Sequence, residues 1–340
     1  MEKTLDVKLA VLKKDPNSRE FILADAKDAD MVFGIAATGK ALDGRTRSLS
    51  EYRDQIRGIV AQGMVDVTIM SARTSELLTI GERIFDSSPV TPAVRVNDAT
   101  DLHIIRGGQY PTNFSRPFAT TTLEHAQAGK SPCSDAERHM GANLGLYSVT
   151  FNNHPETDLK TLEAYKAFRL EAEAKHFRYF LEVFYPNVAA KLHGIAPEEI
   201  PYFVNDHIVR LLAGVTSRAR PAFLKIPYGG PRALEELCAY DPSLVVGVLG
   251  GSAGTTHDAF FLLHDAKSHG ARVALFGRKI NAAEDQVSFV QYMRLVADDQ
   301  ITPAEGVKAY HSTLQKMGIS PRRSLGQDME LTSTFACYGS

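Results

Sequence analysis

Eight short apolar runs recur along this chain, and helix-length patterns separate them. The first reads Met31-Val32-Phe33-Gly34-Ile35-Ala36-Ala37, followed by a helix pattern from about 49 to 62. The second spans 65–70, with a helix near 74–85, and the third spans 91–96. The fourth, 144–150, precedes a long charged helix at about 158–175. The fifth spans 179–184, and a helix near 200–214 leads to the sixth, Ala222-Phe223-Leu224-Lys225-Ile226-Pro227-Tyr228. The seventh spans 244–249, a helix at 256–269 follows, and the eighth spans 273–278. Runs that are apolar without alternation read as strands buried on both faces, as in parallel sheets. No hairpin signal joins one run to the next. An open doubly wound sheet fits that alternation. The count of eight and the length of 340 residues favour a closed α/β barrel, the (β/α)8 or TIM barrel.

This reading gives a single-domain barrel over 31–310. An N-terminal extension (1–30) precedes it and a C-terminal tail (311–340) follows. The stretch 97–143 interrupts the rhythm after the third strand. A loop of that length usually carries function or is ordered by a contact, so it is a candidate lid, subunit contact or rim decoration. The hydrophobic fraction of 44% and charged fraction of 23% are those of an ordinary globular chain. With a net charge of -2 and no basic stripe, nucleic acid is not an expected partner. No apolar run approaches the roughly 18 residues of a membrane span, and the first residues carry no signal core. Three scattered cysteines suggest neither a disulfide framework nor a zinc site. A cytoplasmic location is the expectation, and a homo-oligomer is compatible with the helix-rich exterior of such a barrel.

In this architecture chemistry sits at the C-terminal ends of the strands. Lys225 lies in the sixth run, where lost hydration disfavours its ammonium form. A neutral amine is a nucleophile toward carbonyl groups. The other reading is a structural ion pair. By the period of two, Phe180, Glu182 and Phe184 share a face of the fifth strand. An inward Glu182 would stand beside Lys225 as a general acid or base. Tyr228, just past Lys225, is a candidate proton relay or a packing residue. After the seventh run comes Gly250-Gly251-Ser252-Ala253-Gly254, and after the eighth Gly277-Arg278. Glycines admit an anion close to backbone N–H groups, and the loops after strands seven and eight often hold phosphate. Gly251, Ser252, Gly277 and Arg278 are therefore candidate phosphate ligands. Lys40, after the first run, and Arg95, ending the third, are further candidates for holding substrate. No HxH, HExxH or paired-cysteine pattern points to a metal, and no GxGxxG spacing points to a dinucleotide. No cofactor is expected.

Phe180-Leu181-Glu182-Val183, Phe223-Leu224-Lys225-Ile226-Pro227, Gly250-Gly251-Ser252 and Phe276-Gly277-Arg278 together resemble the class I, Schiff-base aldolase superfamily. The likeness is nearest to its tagatose-1,6-bisphosphate aldolase branch and sulfosugar-phosphate relatives, and more distant to the archaeal-type fructose-bisphosphate aldolases. It covers roughly 31–310 and is best from Arg178 onward. The resemblance implies a metal-independent lyase that cleaves or forms a C–C bond in a phosphorylated ketose or related keto compound. It implies Lys225 as the Schiff-base lysine, Glu182 in acid/base steps, and Gly251, Ser252, Gly277 and Arg278 at the phosphate. Many members end strand one with an aspartate, whereas the run placed there ends Ala36-Ala37-Thr38-Gly39-Lys40. An isomerase or epimerase without an imine, and a phosphosugar-binding regulator, are the alternative readings.

Overall fold

The computed structural model describes residues 1–251 and 254–332. Eight parallel strands form the barrel: β1 Ile22–Lys27, β2 Val67–Met70, β3 Thr91–Arg95, β4 Leu144–Thr150, β5 Arg178–Phe184, β6 Leu224–Lys225, β7 Gly247–Leu249 and β8 Val273–Phe276. They neighbour one another in the circular order β6-β5-β4-β3-β2-β1-β8-β7. The ring closes where β6 meets β7, through a parallel bridge between Ile226 and Val248 and a Leu224 N–H bond to the Val245 carbonyl at 2.8 Å. The fold is therefore the expected (β/α)8 barrel.

Alternation along each strand sorts side chains into two layers. Inward residues include Ile22, Ala24, Val67, Ile69, Ala93, Leu144, Leu146, Phe180, Phe223, Val273 and Leu275, which pack into one buried cluster. The Phe180 and Phe223 rings stack at its centre, 4.5 Å apart. Leu5 and Leu12 of an N-terminal helix, α1 (Thr4–Lys14), join the same cluster and plug the lower end of the barrel. Outward residues such as Leu23, Val94, Leu181 and Leu224 pack against the helices.

Seven of the expected strands occupy their predicted places, with ends shifted by a few residues. The first does not. β1 is Ile22–Lys27, and the run 31–37 instead forms two 3-10 turns, Ala29–Met31 and Gly34–Thr38, above the barrel mouth. Gly34, which opens the second turn, has φ +54°, which breaks any extended course there. The barrel thus begins inside the segment expected to be an extension. β1 escaped notice because its outward positions, Asp25 and Lys27, are charged and fully buried.

The main helices of the outer layer are α2 (Leu49–Gln62), α3 (Pro155–Ala174), α4 (Ile200–Ala213), α5 (Pro231–Tyr240), α6 (Thr256–Ser268), α7 (Gln286–Ala297) and α8 (Pro303–Lys316). Their starts follow local chemistry. Ser48, Thr255 and Thr302 each cap a helix, reciprocated by Glu51, Asp258 and Glu305. The expected helix near 74–85 is instead a short α-turn, Ala72–Ser75, running into a π-turn over Glu76–Gly81. The 97–143 stretch holds a two-stranded ribbon (Asp98–Ala99 with Pro117–Phe118) and a short helix (Leu123–Ala128). Asp101 braces the stretch internally by accepting from Ser115 Oγ at 2.6 Å, and fastens it to the barrel by accepting from Thr150 Oγ1 at 2.7 Å. The C-terminal segment returns to the barrel as well. Asp328 accepts the Thr256 N–H at 2.7 Å, and the Glu330 carbonyl accepts from Thr255 Oγ1 at 2.8 Å. No helix among the described residues is long and apolar enough to cross a membrane.

Candidate active site

Register brings the polar residues of the barrel mouth into one layer. Ser148 pairs with Glu182 across β4 and β5, and Glu182 with Lys225 across β5 and β6. Three inward side chains therefore stand side by side, directly above the Phe180–Phe223 stack. Lys225 Nζ lies 2.5 Å from Glu182 Oε1, with side chains 8% and 2% exposed. The other oxygen, Oε2, accepts from Ser148 Oγ at 2.6 Å and faces Arg95 Nη2 at 3.3 Å. Glu182 thus stands inward beside Lys225, and its carboxylate is held from its far side by Ser148 and Arg95.

Arg95 organises the layer. Its Nε donates to Asp28 Oδ2 at 2.6 Å and its Nη1 to Ser148 Oγ at 2.8 Å. It was expected to hold substrate. It lines the cavity, and its Nε, Nη1 and Nη2 are each directed at a protein partner, so it also acts on the site through Asp28, Ser148 and Glu182. Burial disfavours the charged guanidinium, but Asp28 and Glu182 outweigh it and push its pKa up. Asn97 steadies β4, donating to the Ser148 carbonyl at 2.8 Å and accepting its N–H at 2.7 Å.

Asp28, missed in the sequence, belongs to this layer. It follows β1 on the inward side, continuing Ile22, Ala24 and Ala26. Burial pushes its carboxyl upward, but Arg95 and Lys225 outweigh that and hold it below the ordinary carboxylate range. The absence of an aspartate at the end of strand one was an artefact of placing that strand at 31–37. The signal that could have found it was the period-two run of small and apolar residues at 22, 24 and 26 leading to Asp28.

These residues face a cavity of about 210 Å³ lined by Asp28, Arg95, Glu182 and Lys225 on one side and by Gly251, Gly277 and Arg278 on the other. Phe33, Leu102 and Ile104 supply apolar wall from the first loop and the 97–143 stretch. Gly277 is needed for close packing, since a Cβ there would meet the Ala26 carbonyl oxygen at 2.6 Å. Arg278 sits at the rim with its guanidinium 5.9 Å from the centre of the Phe33 ring. Ser252 lies outside the described residues.

Two candidates are not brought in. Tyr228 packs in the layer between barrel and helices, and its hydroxyl donates to Asp265 of α6. It shares the outward parity of Leu224 and Ile226, so it cannot face the cavity that Lys225 faces. Lys40 is exposed in a loop bridge and donates to Thr46 Oγ1 at 2.9 Å. It lies 13 positions past the true end of β1, outside the lining of the cavity. Among the described residues, no three His, Cys, Asp or Glu side chains gather where they could hold a metal ion.

No protein-family model matches the chain, and no curated protein matches its sequence. Solved structures match its fold. A fructose-bisphosphate aldolase from Slackia heliotrinireducens DSM 20476 aligns with TM-score 0.64 and 15% identity, covering 91% of this chain and 90% of the other. An archaeal fructose 1,6-bisphosphate aldolase aligns with TM-score 0.59 and 15% identity, covering 85% of this chain and 98% of the other. A further archaeal fructose-1,6-bisphosphate aldolase, solved with its catalytic lysine covalently bound to the carbinolamine intermediate of the substrate, aligns with TM-score 0.59 and 17% identity, covering 85% and 99%. At these identities the likeness establishes the barrel.

Proposed function

We propose that the protein is a class I aldolase-like lyase that cleaves or forms a carbon–carbon bond in a phosphorylated ketose or related keto compound. The observation that carries this reading is the Lys225 Nζ–Glu182 contact of 2.5 Å at the floor of an open cavity. The Schiff-base aldolases among its structural neighbours, and the sequence resemblance to that superfamily, support it. The tagatose-bisphosphate branch is the nearer resemblance in sequence, and the fructose-bisphosphate enzymes are the neighbours in fold.

The chemistry follows from the arrangement. Lys225 passes a proton to Glu182, and its freed nitrogen attacks the ketone carbon. The carbonyl oxygen takes up two protons and leaves as water, giving a protonated imine. That cation accepts the electron pair released when the neighbouring carbon–carbon bond breaks. Glu182 or Asp28 takes the proton from the hydroxyl that becomes the leaving aldehyde. Arg95 and Ser148 keep the far oxygen of Glu182 fixed, so the near one stays aimed at Lys225. The substrate phosphate rests on the opposite wall, against the backbone at Gly251 and Gly277 and the Arg278 guanidinium. Binding remote from the reacting carbon supplies orientation.

Borohydride tests this reading. Sodium borohydride added with a panel of phosphorylated ketoses should reduce the imine and add substrate mass to the peptide containing Lys225. Lys225→Met should abolish both trapping and cleavage while leaving the thermal transition near that of the parent. A Lys225→Met variant that still cleaves substrate at the parent rate would sink the Schiff base. Turnover of a sugar phosphate without trapping would favour an isomerase or epimerase instead.

A further inference from the structure

A second cavity, of about 450 Å³, lies behind the loop that carries Arg278. Its walls are the helix after β8, the start of α6 and the returning C-terminal segment. Arg278, Lys279, Arg322 and Arg323 line it, against two carboxylates, Glu284 and Asp328. Among the described residues it shares only Arg278 with the cavity that holds Lys225.

The carboxylates are already engaged. Asp328 accepts the Thr256 N–H at 2.7 Å and faces His311 Nε2 at 3.0 Å. Glu284 accepts the Tyr310 hydroxyl at 2.9 Å and the Arg322 backbone N–H at 2.7 Å. Lys279, Arg322 and Arg323 are under-matched. Lys279 is only 8% exposed, yet among the described residues its ammonium makes one contact, to the Gly254 carbonyl at 3.3 Å. A buried ammonium commonly satisfies three donors or gives up its charge. Burial pushes Lys279 down to about 8, with Asp328 opposing that shift and Arg323 adding to it. Among the described residues, Lys279, Arg322 and Arg323 form no ion pair with a carboxylate. Lys279, Arg322 and Arg323 thus face two carboxylates that are already engaged, a positively charged cavity that suits an anion.

We propose that this cavity is a second anion site that takes a phosphate dianion, with Lys279 at its base and Arg322 and Arg323 closing it from the C-terminal segment. The anion supplies the missing acceptors of Lys279 and ties the C-terminal segment to the loop that presents Arg278. The start of α6 is not the ligand, because Asp328 already occupies its Thr256 N–H. The phosphate has two sources by chemistry: free inorganic phosphate, or a second phosphate carried by the substrate.

Calorimetric titration of the full chain with inorganic phosphate reads the site directly, whatever reaction Lys225 performs. The parent should bind two phosphates per chain, one at each cavity. Arg322→Gln/Arg323→Gln, both at exposed positions, and Lys279→Gln should each keep one and bind the other about tenfold more weakly or not at all. Equal stoichiometry and affinity in the parent and both variants would overturn the proposal, as would a parent that binds none. A kinetic arm, which rests on the proposed lyase activity, separates the sources. A rise in KM confined to bisphosphorylated ketoses assigns the site to substrate. An unchanged KM with loss of any response to added phosphate assigns it to the free ion.

Discussion

Two lysine–carboxylate clusters are buried in this barrel, one on each side of its wall. Inside, Lys225 meets Glu182 at 2.5 Å; outside, Lys27 meets Asp25 at 3.5 Å. Both lysines are hidden from solvent, at 6% and 0% exposure. Their surroundings differ. Lys27 points from β1 into the helix layer, where the side-chain carbonyls of Asn281 and Gln286 accept its protons and the Tyr52 ring lies 5.7 Å away. Lys225 lines a cavity. A buried amine is therefore not in itself a sign of chemistry. Burial beside empty space, with a carboxylate held from behind, is. Lys27 has a structural use: through Asn281 it pins the short helix that begins at Arg278.

The contrast can be broken most forcefully at Glu182. Glu182→Gln removes the proton acceptor while Arg95 and Ser148 can still hold the side chain. Single-turnover cleavage should fall by about 10²–10⁴-fold, and borohydride trapping should slow in parallel. A change of less than about threefold would demote Glu182 to a structural partner of the kind Asp25 is. Lys27→Met is the matched experiment on the other side of the wall. It strips the counter-charge from Asp25 and the donor from two amide oxygens, so unfolding should become easier by about 3–5 kcal/mol. Trapping at Lys225, per folded molecule, should be unaltered. Loss of trapping in Lys27→Met with its thermal transition preserved would reverse the two assignments.

The same wall explains what could be read from sequence. Strands β2 to β8 carry apolar residues on both faces, so each appears as a run. β1 has a polar outward face, whose Lys27 is satisfied by Asn281 and Gln286 some 250 positions away, and no local pattern announces that. Misplacing β1 hid Asp28 and promoted Lys40. Glu182 and Lys225 were legible because a period of two fixes their side once Phe180 and Phe223 are inside. That rule also puts Tyr228 outside, where it meets Asp265. Arg95 was found but its protein partners were not, because they come from the end of β1 and from β4 and β5, and only the closed ring assembles them. Ser148 carried a signal of its own: it shares the inward parity of Leu144 and Leu146 and is the first polar residue on that face.

The smallest effect is a pH dependence confined to the outer cluster. Burial pushes the Asp25 carboxyl up to about 6, with Lys27 opposing. The folded chain then binds more protons than the unfolded one between pH 4 and 6. Stability from this group is fullest at the acid end of that window and declines as pH rises through it. Two units of displacement correspond to about 3 kcal/mol at most. Asp28 has the opposite sign, since its carboxyl is held low: its contribution is present above the unfolded value and is lost as pH falls through the folded one. The clean measurement is therefore a difference. Unfolding free energies of parent and Asp25→Asn, taken from pH 4 to 7, should show the advantage of the parent shrinking as pH rises, by on the order of 2–3 kcal/mol. Parallel curves would mean that Asp25 keeps its charge throughout, and the outer pair would then be an ordinary ion pair like those on the surface.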